Sequence, residues 1–391
     1  MMRAARIGFG SLTLLALLGA GGAGLPAYQD DDSELEAAVV RRYGALAEEL
    51  YATSLEQAHS MRVAVQGFLA EPSQASLAAA RTAWCVAHAS YGRTEAMRFY
   101  GGPIDHADSR LELRINTWPV DEAFIGPVPG GSGGLIGRSE AYSVLDRELL
   151  LQLHQQDGET RVLLGFHAME FLLWGQDTST TGPGARPFTD YVEGVAPHAA
   201  RRALYLDTIT DLLCVQLAQV AGAWRAGPGS YRDEFEATPS AASARKILTG
   251  LAVLCAFEMA GERLAVPLET RDQEEEPSCF SDTTRADLCA NVASLGLVLR
   301  GGDSAPIGPG MLDLAFATDA DLAKTLEARL QVLEAAAEAL PQPFDQAIQA
   351  ADDDPRRMAI MATLEACEAL SESLAKLGQA RGWALPVQLP R

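Results

Sequence analysis

The stretch GFHAMEFLLWGQD, Gly165 to Asp177, sets His167 and Glu170 three residues apart in an otherwise apolar run. In a helix, positions i and i+3 share one face, so imidazole and carboxylate point the same way. Such a pair can hold two positions around a divalent metal. Phe166, Met169, Phe171, Leu172, Leu173 and Trp174 surround it. Burying an ionisable pair among them is costly unless something satisfies it. A core histidine hydrogen-bonded to a neighbouring glutamate fits the same letters, because an HxxE match is short and common. Gly165 lowers helix stability, and its lack of a side chain would let another segment approach the His167 face closely.

Outward from this run, helical periodicity dominates and strand-like alternation is nearly absent. Ser33 with Glu36 reads as a capping box opening an amphipathic stretch to about Leu69. A second helix is expected from Ser76 to Phe99, ended by Gly101-Gly102-Pro103. Residues 101 to 138 read as loop, and further helices are expected at 139–156 and 159–174. A Gly/Pro-rich segment, Thr178 to Pro187, is the best boundary. Beyond it, helices are expected at 189–224, 240–264, 283–299, 319–340 and 355–378. The expectation is an all-α chain of two four-helix bundles, residues 30–180 with the histidine motif and 188–385. A loose internal match sets Ala80-Arg81, Glu95 and Arg98 against Ala244-Arg245, Glu258 and Arg263. It hints at duplication, although Ala-rich helices also produce such coincidences.

Several words flank the motif: RTEAMRFYGGPID (93–105), INTWPVDEAFIG (115–126), GPGARPFTDY (182–191), FEMAGERL (257–264) and SCFSDTTRAD (278–287). Together with Gly165, His167 and Glu170 as a GxHxxE motif, they resemble the imelysin family, specifically its iron-regulated protein A-like branch. The resemblance runs from about residue 35 to about residue 380. It implies two helical bundles, a place outside the cytoplasm and a role linked to iron. Iron is then the expected metal ahead of zinc, with an iron permease or an outer-membrane protein as partner. Some family members are filed as metallopeptidases.

The chain has 391 residues, 48% hydrophobic and 21% charged, enough for a sizeable core. Its formal net charge of −21 disfavours nucleic acid and anionic lipid and tolerates cations. Residues 1–27 read as a secretory signal peptide. Arg3 and Arg6 form its basic start, Leu12 to Leu18 its apolar centre, and Leu25-Pro26-Ala27 a cleavage site near Ala27. The remaining chain has no stretch that would span a membrane, so a periplasmic or otherwise exported protein is expected. Six cysteines remain, and export permits disulfides, but four sit in apolar helical runs where free thiols are as reasonable.

A metal site needs more than His167 and Glu170. Glu95 is the first further candidate, because the resemblance puts a glutamate there beside the HxxE of related iron-uptake components. Asp105 is the second. Asp121 and Glu122 are the third, and all of these suit helix-capping roles equally well. The other residues expected to line a cleft are Gly165, Trp118, Arg98, Ser278 and Asp282. Relatives carry histidines around SCFSD; here Pro277 and the run Thr283-Thr284-Arg285-Ala286-Asp287 replace them. The acidic stretch Asp272, Glu274, Glu275 and Glu276 with Asp282 then reads as a solvated loop and an N-cap. HExxH and HxxEH are both absent, and only His198 follows the motif. The leading expectation is a metal-binding protein of an iron system without catalysis of its own. A metallopeptidase using His167 and Glu170, or a module whose cleft binds a small ligand or protein, is the alternative.

Overall fold

The fold is described from a computed structural model, which covers residues 29–385 apart from 157, 180 and 304–306. The expected signal peptide lies outside the described residues. Helix makes up 68% of the chain, and no strand occurs among the described residues.

Eight helices carry the architecture: α1 (Gln29–Ala70), α2 (Gln74–Gly92), α3 (Gly165–Trp174), α4 (Ala199–Trp224), α5 (Ser240–Val253), α6 (Thr284–Arg300), α7 (Ala320–Glu338) and α8 (Pro355–Ala380). α1 lies along α2 and α4, and α3 packs on both of those. α8 lies along α5 and α7, while α6 packs on α7 and crosses to α2. Although α4 follows the Gly/Pro segment, it therefore joins the helices that precede it.

Local chemistry explains most boundaries. Ser73 and Ser76 cap each other's backbone at the start of α2. Ser33 does not cap α1, which has already begun at Gln29. Glu36 instead joins chain ends: its carboxylate accepts from Arg381 Nη2 at 2.7 Å and the Ser240 hydroxyl at 2.9 Å. The motif helix starts at Gly165 rather than Glu159. Gly165 has φ +84°, and a Cβ there would lie 2.3 Å from the Ile115 carbonyl oxygen. Only glycine admits that approach.

The helix expected over 240–264 is continuous but changes register. Residues Leu254–Ala265 form a π-helix, running on from α5. Such wide turns are rare and often sit at functional places. Here the register brings Arg263 back onto Glu258, five residues earlier, with Nη2 donating to Oε1 at 2.8 Å.

Candidate functional site

α2, α3 and α6 meet around His167, which is buried, as is Glu170. His167 Nδ1 lies 2.9 Å from Glu170 Oε2. The other carboxylate oxygen accepts from Ser281 twice, from its amide at 2.8 Å and its hydroxyl at 2.7 Å. Oε1 is thus taken by two donors, and Oε2 is left to face the ring. An acceptor at Oε2 then assigns the proton to His167 Nδ1, leaving a lone pair on Nε2. Burial holds the imidazole below the usual histidine range, against the pull of Glu170. The decisive detail is that Nε2 is buried without a hydrogen-bond partner.

A second histidine stands beside it. The His88 ring centroid is 5.1 Å from that of His167, edge to face. His88 Nδ1 lies 3.0 Å from Asp287, and its Nε2 lies 2.8 Å from Asn116 Oδ1. Burial pulls the His88 pKa down, but Asp287 outweighs it and the net shift is upward. Asp287 moves the opposite way: burial raises it, and His88 and the Ser278 hydroxyl, donating at 2.5 Å, lower it further. His88 and Asp287 thus form a buried ion pair across α2 and α6. Serine, aspartate and histidine are all present, yet Ser278 bonds the aspartate and not the imidazole, so no nucleophile is activated.

Glu95 lies between two arginines, with its Oε1 buried and unpartnered. Arg98 Nη1 and Arg263 Nη2 each donate to its Oε2 at 2.8 Å. Burial alone would raise its pKa; the two arginines lower it instead. Arg98 also pairs with Glu112 at 3.0 Å and Asp105 at 3.6 Å. Asp105 further accepts the Phe99 amide at 2.5 Å. Tyr91 donates to Glu112, whose pKa burial pushes up to about 7 against the pull of Arg98. The two Glu/Arg pairs of the loose internal match therefore meet in one buried network.

The structure brings Glu170 to His167 and assigns Glu95 and Asp105 to arginines. Trp118 bridges the two places: its ring lies 6.0 Å from that of His167 and 5.1 Å from the Arg263 guanidinium carbon. Glu122 accepts from Gln176 Nε2 at 3.2 Å, and Asp121 sits ahead of a single helical turn without capping it. His198 is exposed at the start of α4. All six cysteines are free thiols. Sequence reasoning missed His88, Asn116, Ser281 and Asp287. Their only signal was polarity inside apolar helical surroundings. Among the described residues, Glu276, Asp282 and Asp345, each buried, gather at metal-ligand spacing.

An all-α chain with a buried GxHxxE histidine at a junction of helices defines the class. The imelysin family model matches residues 47–377, and the chain belongs to that family. It is similar to iron-regulated protein A of Synechococcus elongatus, 27% identical over 326 residues, which are 83% of this chain and 78% of that protein. A crystal structure described as an iron-regulated protein A precursor from Parabacteroides distasonis superposes with TM-score 0.70 at 18% identity, covering 93% of this chain and 98% of that one. An imelysin-like protein from Psychrobacter arcticum gives 0.65 at 16%, covering 91% and 98%. These two likenesses establish the fold. No helix among the described residues is long and apolar enough to cross a membrane.

Proposed function

We propose that this chain is an exported, iron-regulated protein that binds iron as cargo, with His167 as its ligand and Glu170 as the carboxylate orienting that ligand. One observation carries the reading: the buried His167 Nε2 has no partner, while Nδ1 is held by Glu170. Metal-binding histidines commonly donate their second nitrogen to a carboxylate, which fixes the ring and raises its basicity. Left without a metal, an unpaired buried acceptor costs about 1–3 kcal/mol, which weighs against a purely structural His167.

Glu170 thus moves from ligand to support. Glu95 and Asp105, committed to arginines, are poor donors, so the remaining positions fall to water or an incoming chelating molecule. The names of the relatives support the link to iron regulation. Export is supported by the basic and apolar pattern of residues 1–27, and one structural relative is described as a precursor. An iron permease or outer-membrane protein is the matching partner. The peptidase alternative needs a base beside Nε2; Glu170 is engaged at Nδ1 and Glu122 by Gln176, which leaves Asp121 as its candidate.

The test is elemental analysis and anaerobic Fe2+ titration of the mature chain. His167→Ala is expected to abolish stoichiometric binding. Glu170→Gln is expected to weaken it by about tenfold to a hundredfold. Iron binding that is unchanged in a folded His167→Ala protein would remove the reading.

A further inference from the structure

We infer that Glu276, Asp282 and Asp345 form a second, oxygen-only site for a hard divalent cation of the calcium type, separate from His167. One oxygen from each carboxylate lies within 4.8 Å of the others. Calcium–oxygen bonds of about 2.3–2.6 Å put ligands on opposite sides of the ion roughly 4.6–5.2 Å apart, so one ion can touch all three.

The independent observation is Glu276. It is 1% exposed, and neither of its carboxylate oxygens makes a hydrogen bond of good geometry, although the Thr284 hydroxyl is near. Oδ1 of Asp282 and Oδ1 of Asp345 are likewise buried and unpartnered. The charges facing Asp282 are Asp345, Asp177 and Glu170, all acidic. Asp177, 5% exposed with its Oδ2 unpartnered, is a further acidic charge felt by Asp282. Backbone amides serve Asp345, and Ser179 serves Asp177 at 2.8 Å, but no countercharge is paired with the cluster. Buried carboxylates left with few donors and no countercharge are costly, and a cation supplies the missing charge. All-oxygen sets select hard ions, and ligands spread over several segments suit calcium's flexible coordination.

These residues come from separate pieces of chain. Glu276 follows a turn of 3-10 helix (Gln273–Glu275), Asp282 precedes α6, and Asp345 opens the short helix Asp345–Gln349. Asp177 follows α3, and Gln273 Nε2 already donates to its carbonyl at 2.7 Å. Asp282 holds φ +57°, a conformation glycine would adopt with less strain. Burial and mutual repulsion push Asp282 up to about 7 and Glu276 well above the usual carboxylate range; the Thr284 hydroxyl eases the latter. Ser281, adjacent to Asp282, is the residue that grips Glu170. A cation here would pin the loop that orients the His167 pair.

The experiment uses the full mature chain, stripped with chelator and titrated with Ca2+ at pH 7.5 by calorimetry and thermal unfolding. Saturable binding of one ion with a rise in Tm is expected. Asp282→Asn and Asp345→Asn should each weaken Ca2+ at least about tenfold, because few charged ligands are present. Metal-free, both variants should unfold no earlier than wild type, since each removes repulsion; Glu276→Gln provides a third variant. His167→Ala should keep the full Ca2+ response, whatever becomes of iron. No Ca2+ response in the wild type, or a response untouched by all three amide variants, overturns the inference.

Discussion

Glu95, Glu112 and Asp105 share Arg98, and Glu95 takes Arg263 as well. Glu276, Asp282 and Asp345 come together with no arginine or lysine ion-paired to any of them among the described residues. Both groups are clusters of buried or half-buried carboxylates, the first from one stretch of chain (residues 95–112) and the second from separate segments. The first has its countercharge within the chain, although Glu95 Oε1 is left unpartnered. The second does not, so it is suited to a ligand. Residue type and burial are shared; the countercharge decides the role.

The largest expected effect tests the first half of that comparison. Glu95→Ala leaves two buried guanidinium groups without their shared acceptor, and removing one partner of a buried ion pair costs about 3–5 kcal/mol. A clear drop in Tm should follow, with Ca2+ affinity unchanged. A harmless Glu95→Ala with altered metal content would mean that Glu95 is a ligand after all.

Gly165→Ala should come next. Its φ of +84° and the 2.3 Å approach to the Ile115 carbonyl force the backbone to move. Strain in that region alone costs about 1–3 kcal/mol. Denaturant unfolding would measure it, and a near-neutral result would show that the segment before the motif is pliable.

A pH effect of smaller size belongs to His154. Its Nδ1 accepts the Leu163 amide at 3.1 Å and its Nε2 lies 2.6 Å from the Leu113 carbonyl, a pattern that needs the neutral ring. Burial lowers its pKa to about 4 against the pull of Leu113. Above its unfolded pKa of about 6.5 both states are neutral and the full stability is present. As pH falls from there towards 4 the unfolded chain takes up the proton and the folded chain does not, so stability is lost. Tm measured across this window should fall in the wild type and fall less in His154→Gln.

The smallest expected signal is catalytic. Mature chain loaded separately with zinc and iron should leave insulin and casein intact. Chelator-sensitive cleavage that vanishes in Glu170→Gln would restore the peptidase reading.

Helices and their breakers were legible because 3.6-residue periodicity and Gly/Pro punctuation are local signals. His167 and Glu170 facing together followed from the same rule. What neutralises a carboxylate was not legible. Arg263 reaches Glu95 across 168 residues, and its aim depends on a π-helical register that no spacing rule revealed. Glu95 and Asp105 therefore read as ligands, with nothing local to show that arginines face them. Asp282 read as a cap or a cleft residue, and Asp345 gave no signal at all, because its partners lie in other segments. The loose match of Glu95/Arg98 with Glu258/Arg263 was the one sequence hint that these four belong together.

Anomalous diffraction from crystals of the mature chain, grown anaerobically with Fe2+ and separately with Tb3+ as a calcium surrogate, tests the comparison most directly. The account predicts iron density at His167 Nε2, terbium density among Glu276, Asp282 and Asp345, and neither between Glu95 and its arginines. Metal bound by Glu95 or Asp105, with the Glu276 cluster vacant under both ions, would contradict it.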